Sequence, residues 1–176
     1  MLAQIRPFRT GDEEGIVSTV REVFDEYGFS WDEKGYCSDL YDPTSNYLNL
    51  GGAFWVAESN EGRIVGCVAY LPHGFLGGVP GESVLVDGKV RAAATDCSLE
   101  RLYLRPKARG YNLGQRLSET VRLKATESCK TAIELWSDKK LEHAHRLYER
   151  LGAIRIGDRI CDDPDESPEW GFYWRV

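Results

Sequence analysis

A short glycine-containing run between an apolar and an amphipathic segment constrains the fold of this 176-residue chain more than any other feature. The run covers residues 109–114, reads Arg-Gly-Tyr-Asn-Leu-Gly, and comes soon after the apolar stretch 99–104. This order predicts a strand, a tight turn and a helix. The first turn of a helix has N–H groups without helical partners, and the helix dipole favours negative charge there. The run therefore predicts an anion site that suits phosphate.

The charges around the turn support an anionic ligand. Residues 101–124 carry seven basic residues and one acidic residue, although the whole chain has a net charge of −6. Lys107, Arg109 and Arg116 are nearest to the turn and are the stronger ligand candidates. Arg122 and Lys124 fit an ordinary solvated helix face.

The turn matches neither of two common nucleotide-binding loops. It lacks the Gly-Lys-Ser/Thr ending of a P-loop, and no acidic residue closes a second strand at the distance that a dinucleotide fold requires. Residues 99–106 and 109–114 together resemble instead the acyl-CoA-binding motif Arg/Gln-x-x-Gly-x-Gly/Ala of the GNAT acetyltransferase superfamily. Residues 144–153 are similar to a later motif of the same superfamily, with Tyr148 on a helix that ends at Leu-Gly.

The resemblance implies an α/β (α+β) GNAT fold. The expected core is a mixed, mostly antiparallel sheet of about seven strands, with helices on both faces and a splayed central strand. Acetyl-CoA is the implied co-substrate. Its pantetheine arm would pair with the backbone of Leu102, Tyr103 and Leu104. Its pyrophosphate would lie on the turn formed by Arg109, Gly110, Tyr111, Asn112, Leu113 and Gly114. The alternative is that the glycines only turn the chain.

Two positions depart from the family pattern. Asn112 stands where the first motif glycine is usual, but asparagine tolerates left-handed conformations and is a good helix N-cap. We therefore expect the turn to form, with a less close approach to phosphate. Leu141 stands where many members have an asparagine that contacts the cofactor, and it receives no cofactor role.

Tyr148 and Glu100 are the candidate catalytic residues. When an amine attacks a thioester, the leaving thiolate needs a proton, and a tyrosine with a pKa near ~10 is a suitable acid. From spacing alone, Tyr148 also fits an apolar core stripe. Glu100 is the candidate base, since strict alternation would place it on the face of Leu102 and Leu104. The alternative is an ion pair between Glu100 and a neighbouring arginine.

The remaining candidates for site chemistry are weaker. His73 follows a predicted strand, and His143 and His145 are expected on a solvated helix face. Three scattered histidines without a Cys-x-x-Cys pair predict no metal site. The five cysteines are odd in number and widely spread, which is typical of reduced thiols.

The order of elements follows from hydrophobic periodicity and turn residues. Strands are predicted at 4–8, 53–58, 63–71, 99–104, 132–136, 154–160 and 170–176. Helices are predicted from about 11 to 28, from 112 to about 128 and at 140–151, with a short one at 38–41. We expect a single domain over 1–176, with an insertion at 74–96 that contains a hairpin across 86–89. A cytoplasmic location is expected, because there is no apolar run of ~20 residues and no leader at 1–5.

Two segments are candidates for framing an acceptor. Residues 162–169 are strongly acidic and would attract a cationic amine, although such loops are more often simply solvated. The segment after the first helix is aromatic enough to wall a pocket, although core packing is the alternative; its residues are Tyr27, Phe29, Trp31, Tyr36, Tyr41 and Tyr47. The terminal strand, with Trp170, Phe172 and Trp174, could pair across a homodimer.

The sequence thus favours an N-acetyltransferase that transfers the acetyl group of acetyl-CoA to a primary amine by direct attack in a ternary complex. The alternative is an acyl-CoA-binding sensor or interaction module with weak or no catalysis. No nucleic-acid partner is expected, since the chain is acidic and its basic stretch is not interleaved with aromatic residues. No membrane partner is expected either. The acceptor, a small-molecule or peptide amine, is not identified by any motif.

Overall fold

A computed structural model describes residues 3–176. Met1 and Leu2 belong to the segment where the sequence predicts no leader, and they lie outside the described residues. The strands are β1 (Ala3–Pro7), β2 (Ala53–Ser59), β3 (Ile64–Pro72), β4 (Ser83–Val86), β5 (Lys89–Ala92), β6 (Cys97–Leu104), β7 (Ala132–Asp138), β8 (Ile154–Ile160) and β9 (Pro168–Arg175). The helices are α1 (Glu13–Tyr27), α2 (Pro43–Asn46), α3 (Leu113–Glu127) and α4 (Glu142–Arg150), and the predicted short helix is a 3₁₀ turn at Ser38–Tyr41.

Seven of the described strands form one sheet in the order β1-β2-β3-β6-β7-β9-β8. Among these pairs β6 and β7 run parallel, and every other neighbouring pair is antiparallel. The predicted fold class is therefore confirmed.

Helices cover both faces of the sheet because each has one apolar stripe to bury. On α1 the stripe is formed by Ile16, Val20 and Phe24, and it packs on one face. On α3 the stripe includes Leu117 and Val121, and it packs together with α4 on the other face. The splayed region of the sheet lies between these two layers.

The central strand β6 separates from β7 soon after the two strands begin to pair. Their register covers Cys97 opposite Ile133 and Ser98 opposite Glu134, whereas pairing with β3 continues to Leu104. Beyond Ser98, the side of β6 that faces β7 therefore has no strand partner among the described residues. This is the predicted splay, and it frees backbone groups on one edge of the strand.

A bulge in β6 changes which side chains share a face. Glu100 lies opposite Ala69 and Tyr103 lies opposite Cys67, so two residues of β6 face one residue of β3 between these pairs. The extra residue is Arg101, whose φ of 54° is rare for a residue with a side chain.

This bulge corrects the prediction that Glu100 shares a face with Leu102 and Leu104. Residues that pair directly across two strands project to the same side, so Glu100 lies on the side of Ala69. Ala69 belongs to the core layer beneath α1, whereas Leu102 and Leu104 pack in the layer beneath α3. Alternation failed here because it assumes one residue per position of the ladder.

The segment between β3 and β6 contains the predicted small hairpin. Strands β4 and β5 pair across Val86 and Lys89, and the two turn residues, Asp87 and Gly88, have φ values of 48° and 78°. Such a pair of positive φ angles is typical of a tight type I′ turn.

The buried carboxylate of Glu134 holds this hairpin to the main sheet. Glu134 is 2% exposed on β7. It accepts hydrogen bonds from Arg91 Nε at 2.5 Å and from the backbone N–H of Ala92 at 2.9 Å. Both donors belong to β5, so this carboxylate fixes β5 against the main sheet.

The terminal strand lies inside the sheet, which overturns the prediction that it could pair across a homodimer. One side of β9 is bonded to β7 and the other to β8. Phe172 and Trp174 are buried in the core. The strand therefore has no free edge to offer a second chain.

No helix within residues 3–176 is long and apolar enough to cross a membrane.

Candidate active site

The first cavity lies beside the free edge of β6 and is called here the turn cavity. It has a volume of about 490 Å³ and is bounded by β6, the start of α3 and α4. The predicted cofactor residues that line it are Leu102, Tyr103, Leu104, Arg109, Gly110, Asn112, Leu113 and Gly114. Tyr111 is the exception, since it is 51% exposed and points to solvent.

The turn itself has the backbone that an anion site requires. Gly110 and Asn112 have φ values of 81° and 61°, so Asn112 adopts the left-handed conformation expected of it. The side chain of Asn112 makes no cap hydrogen bond with any described residue, so the predicted N-cap bond is absent. Arg116 donates the first helical N–H, to the carbonyl of Asn112 at 3.0 Å. The three preceding amides therefore have no helical partner.

Gly114 has a packing role. A Cβ atom at this position would lie 3.1 Å from Cδ2 of Leu147 and 3.4 Å from Cδ1 of Leu104. Glycine therefore lets the first turn of α3 approach α4 and β6 closely, and this contact forms one wall of the turn cavity.

The positive charge at the turn cavity comes only in part from the predicted residues. Arg109 lines the cavity, but its guanidinium forms a two-point pair with Glu26, with Nη1–Oε1 and Nη2–Oε2 distances of 2.7 and 2.5 Å. Lys107 lines a different cavity, and Arg116 donates to the carbonyl of Ala3 at 3.2 Å.

Two arginines that sequence reasoning missed also line the turn cavity. They are Arg146 and Arg150, and both lie on α4. Their spacing of four residues places them on one helix face, which is the signal that could have found them. Arg146 pairs with Glu142 at 3.3 Å, whereas Arg150 has no carboxylate within 4 Å among residues 3–176.

A second cavity, called here the carboxylate cavity, adjoins the first. It has a volume of about 190 Å³ and shares the lining residues Leu102, Tyr103, Leu141 and Ala144 with the turn cavity. Its carboxylates are Glu100, Asp138, Asp163 and Glu169, and its aromatic walls include Phe29, Tyr36, Tyr47, Trp136 and Tyr148. The two cavities therefore meet where β6 leaves β7, with Leu141 at the boundary.

The two segments predicted to frame an acceptor contribute to this cavity in part. Asp163 and Glu169 come from the acidic segment, and Phe29, Tyr36 and Tyr47 from the aromatic one. Tyr27 lines the turn cavity, while Trp31 and Tyr41 pack beside Arg21. Asp165 joins the two segments, because its carboxylate accepts hydrogen bonds from the N–H and hydroxyl of Ser30 at 2.7 and 2.6 Å.

Tyr148 belongs both to the core and to the wall of the carboxylate cavity. It is 5% exposed, and its ring packs edge-on against Phe172 with 5.4 Å between centroids. Burial raises the pKa of the Tyr148 hydroxyl above its usual value of 10. The hydroxyl therefore keeps its proton at neutral pH and can act only as an acid there.

Glu100 lines the same cavity and forms no ion pair within the described part of the chain. Burial raises the pKa of the Glu100 carboxyl, while the hydroxyl of Ser98 opposes this effect. The neighbouring Arg101 pairs instead with Asp39, with Nε–Oδ2 and Nη2–Oδ1 distances of 2.9 and 2.8 Å. The alternative of a Glu100–arginine pair is therefore wrong.

The three histidines lie in different surroundings. His145 is 3% exposed and packs against Phe172, so the prediction of a solvated face is wrong for this residue. Burial and the charge of Arg155 lower the pKa of His145. His73 has Nε2 3.5 Å from Oε1 of Glu134, and His143 is an exposed residue beside the turn cavity.

The cysteines are free thiols throughout the described chain. Burial raises the pKa of Cys67, Cys97 and Cys161 to about 12, which disfavours the nucleophilic thiolate. Within residues 3–176, no group of three or more His, Cys, Asp or Glu could hold a metal ion.

Known proteins are similar to this chain in sequence and in fold. Residues 18–153 match the acetyltransferase (GNAT) family. The rat protein N-acetyltransferase 8F1 is 30% identical over 139 residues, which are 79% of this chain and 52% of the rat protein. The chain thus spans about half the length of that relative.

Solved structures show the same fold at low identity. A GNAT-family acetyltransferase from Staphylococcus aureus Mu50 superposes with a TM-score of 0.75 at 20% identity and covers 99% of both chains. A GNAT phosphinothricin acetyltransferase from Sinorhizobium meliloti, solved in complex with AcCoA, gives a TM-score of 0.72 at 15% identity, covering 100% of this chain and 89% of that one. Because the family match covers most of the chain, this protein belongs to the GNAT family of acetyltransferases.

Proposed function

We propose that this protein is an N-acetyltransferase that transfers the acetyl group of acetyl-CoA to a primary amine. The observation that carries the proposal is the meeting of the two cavities at the splayed part of β6. One cavity has free amides and arginines suited to a phosphorylated cofactor, and the other has carboxylates suited to an amine. Family membership and a relative named as an N-acetyltransferase support the same reaction.

The residues of the turn cavity suit the chemistry of acetyl-CoA. In this proposal the free backbone of Leu102, Tyr103 and Leu104 binds the pantetheine arm, and the amides at the start of α3 bind the pyrophosphate. Arg150 is available for a phosphate group because no carboxylate of residues 3–176 pairs with it. Arg109 must exchange Glu26 for the ligand, so its contribution to affinity is smaller than that of a free arginine.

The carboxylate cavity supplies groups for both proton transfers. The nitrogen–carbon bond forms and the carbon–sulfur bond breaks, so the amine loses a proton and the sulfur gains one. Glu100 accepts the proton of the amine, directly or through water, and Tyr148 gives a proton to the sulfur. The Tyr148 hydroxyl is protonated at neutral pH, as the acid role requires, and burial raises its pKa, which makes it a weaker acid than an exposed tyrosine.

We further propose direct attack in a ternary complex. A two-step route would require a nucleophile such as a cysteine thiolate to accept the acetyl group first. Cys161 is the cysteine that lines the carboxylate cavity, and burial raises its pKa to about 12. A thiol that holds its proton so tightly is a poor nucleophile at neutral pH.

Two measurements on the intact chain test the proposal. Acetyl-CoA at millimolar concentration should raise the melting temperature, since a ligand that binds only the folded state stabilises it. Incubation of the protein with acetyl-CoA and a panel of amines should release free CoA thiol. Stabilisation without thiol release for any amine would support the acyl-CoA-binding module instead. An unchanged melting temperature would contradict both functions.

A further inference from the structure

The carboxylate cavity holds more negative charge than its arginines can neutralise. Its carboxylates are Glu100, Asp138, Asp163 and Glu169, and its arginines are Arg101 and Arg159. Each arginine already has a carboxylate partner. Arg101 pairs with Asp39 at 2.8 Å, and Arg159 pairs with Glu169 at 2.7 Å. Within the described chain, the three carboxylates of Glu100, Asp138 and Asp163 therefore line one small cavity without an ion-pair partner.

Asp138 has an atom that lacks a hydrogen-bond donor. This residue ends β7 and is 8% exposed. Its Oδ1 accepts the backbone N–H of Lys140 at 2.6 Å, whereas Oδ2 is buried and has no hydrogen-bond partner among residues 3–176. Leaving a buried charged oxygen unpaired is costly, so such an atom in a cavity wall indicates a missing donor. A ligand ammonium group would supply it.

Asp138 and Asp163 form one acidic group with Glu169. Both aspartates lie close enough for their charges to contribute to the raised pKa of Glu169. Glu169 is already paired with Arg159, so the two aspartates carry the unneutralised charge of this group. Glu100 projects from β6 into the same cavity and is a separate acidic position.

The walls between these positions suit an aliphatic chain. Phe29, Tyr36, Tyr47 and Trp136 present aromatic surface to the cavity. Aromatic faces accommodate methylene groups and attract ammonium groups through their π electrons. The cavity volume of about 190 Å³ suits a short, narrow molecule.

The charge balance discriminates between classes of amine. An amino acid would bring a further carboxylate to a cavity in which three carboxylates already lack an ion-pair partner. Both cavity arginines already pair with a carboxylate, and Nη1 of Arg101 is the buried guanidinium atom that still lacks an acceptor among the described residues. A monoamine would leave the aspartate pair unneutralised. We propose that the acceptor is a short aliphatic diamine or polyamine, with one amino group acetylated beside Glu100 and a second, as ammonium, held by Asp138 and Asp163. This inference rests on the proposed N-acetyltransferase function.

A matched set of three amines tests the inference. The set is 1,4-diaminobutane, pentylamine and 5-aminopentanoate, which share a four-carbon chain and differ in whether the far end is an ammonium, a methyl or a carboxylate group. We measure thiol release from acetyl-CoA for each. The kcat/KM for the diamine should exceed that for pentylamine by at least about tenfold, and 5-aminopentanoate should be the poorest acceptor.

Two variants assign the preference to the aspartates. Asp138→Asn and Asp163→Asn each remove a charge but keep the side-chain oxygen that accepts the N–H of Lys140 or of Ser167. Each should lower the diamine-to-pentylamine ratio of kcat/KM by about fivefold or more. Asp25→Asn is the matched control, because Asp25 is an exposed acid on α1 outside both cavity linings. This control should keep the ratio of the unmodified protein.

Each outcome decides the question. Equal or better activity with pentylamine or 5-aminopentanoate overturns the inference and leaves the acetyltransferase function intact, as does a ratio unchanged in both variants. If no amine releases thiol, the proposed function fails and the inferred acceptor fails with it. Melting in the presence of CoA then tests separately whether the two aspartates bind a second ammonium group: a larger stabilisation by 1,4-diaminobutane than by pentylamine supports that part of the inference, and equal shifts overturn it.

Discussion

At the scale of single residues, Tyr148 combines a core position with a cavity position. Its ring fills space against Phe172, and its hydroxyl lies in a setting that raises its pKa. Tyr148→Phe keeps the ring and removes the acid. We predict that kcat falls about 100-fold while the KM for acetyl-CoA and the melting temperature change little, because general acid catalysis contributes ~10² or more and the packing is retained. Steady-state thiol release and thermal melting measure these quantities.

Tyr41→Phe is the matched control for this variant. Tyr41 lies beside Arg21, outside the linings of both cavities, and loses the same hydroxyl. Full activity in Tyr148→Phe would remove this residue from the mechanism. A fall in kcat accompanied by a large fall in melting temperature would assign Tyr148 to the core alone.

The burial of Glu100 leads to a prediction about how the folding stability of the protein depends on pH. Burial raises the folded-state pKa of Glu100 above its ordinary value of 4.5, so the folded protein binds this proton more tightly than the unfolded chain does. The stabilising contribution of the protonated side chain is complete below pH 4.5 and is lost as the pH rises through the folded-state pKa. Glu100→Gln should therefore raise the melting temperature at pH 7, by about 2–4 °C, and should lose this advantage near pH 4.

The same substitution tests the role of Glu100 as base. Glutamine cannot accept a proton, so kcat should fall about 100-fold at neutral pH. In the unmodified protein, the acidic limb of the kcat/KM profile should lie above the pH at which an ordinary glutamate titrates. Melting curves and rate profiles over pH check both statements. An equal melting difference at pH 4 and pH 7 would contradict the burial argument, and retained activity would contradict the base.

At the scale of elements, most of the fold could be predicted because its signals are local. Helical periodicity and Gly28 place α1 within about two residues of its observed bounds, and the Asp-Gly pair at 87–88 marks the β4–β5 turn. The bulge in β6 could not be predicted in this way. Arg101 adopts a positive φ without being Gly, Asn or Asp, so the sequence carries no local sign of the extra residue.

The parts of the candidate site that sequence reasoning missed depend on contacts between distant segments. Arg109 is engaged by Glu26, which lies 83 positions earlier in the chain. His145 is buried because β9 places Phe172 against it, a contact that helical spacing alone does not reveal. Turn chemistry predicts that a cationic side chain lies near the α3 start, but the tertiary packing decides which cation is free.

A prediction about whole elements concerns how Glu134 holds the β4–β5 hairpin to the main sheet. Glu134→Gln removes the charge that Arg91 faces, while Arg91 remains partly buried. We expect the free energy of unfolding to fall by about 2 kcal/mol, because a buried donor with a lost ionic partner is costly. Protease cleavage near the Gly77–Gly78 pair should also become faster. Denaturant titration and limited proteolysis measure the two effects.

Glu127→Gln is the control for the hairpin prediction. Glu127 is an exposed glutamate at the end of α3, so the same chemical change there should alter stability by less than ~0.5 kcal/mol. If Glu134→Gln unfolds at the same denaturant concentration as Glu127→Gln, the buried carboxylate does not hold the hairpin.

At the scale of the whole molecule, two cavities of opposite charge meet inside a chain with a net charge of −6. The arginines of the turn cavity are concentrated on α4 and at the turn, whereas the carboxylates of the other cavity lie on β6, β7, β9 and the β8–β9 connection. Because of this division, each substrate meets a local field opposite in sign to its own charge. The anionic co-substrate is thus attracted to its cavity although the net negative charge of the chain repels it. Binding of the anionic co-substrate should consequently depend on salt.

The dependence of KM on salt distinguishes electrostatic binding of the phosphate groups from binding of the uncharged arm of the cofactor. Raising the salt concentration from about 20 to about 300 mM shortens the screening length severalfold, so the KM for acetyl-CoA should rise about fivefold. S-acetylpantetheine has the same thioester and arm but no phosphate groups, and its KM should change less than twofold under the same conditions. Arg150→Gln should weaken acetyl-CoA binding at low salt and flatten its salt dependence, because Arg150 is the cavity arginine without a carboxylate partner in the described chain. Equal salt effects on the two thioesters would contradict a phosphate site at the start of α3, since the effect would then come from the acceptor side.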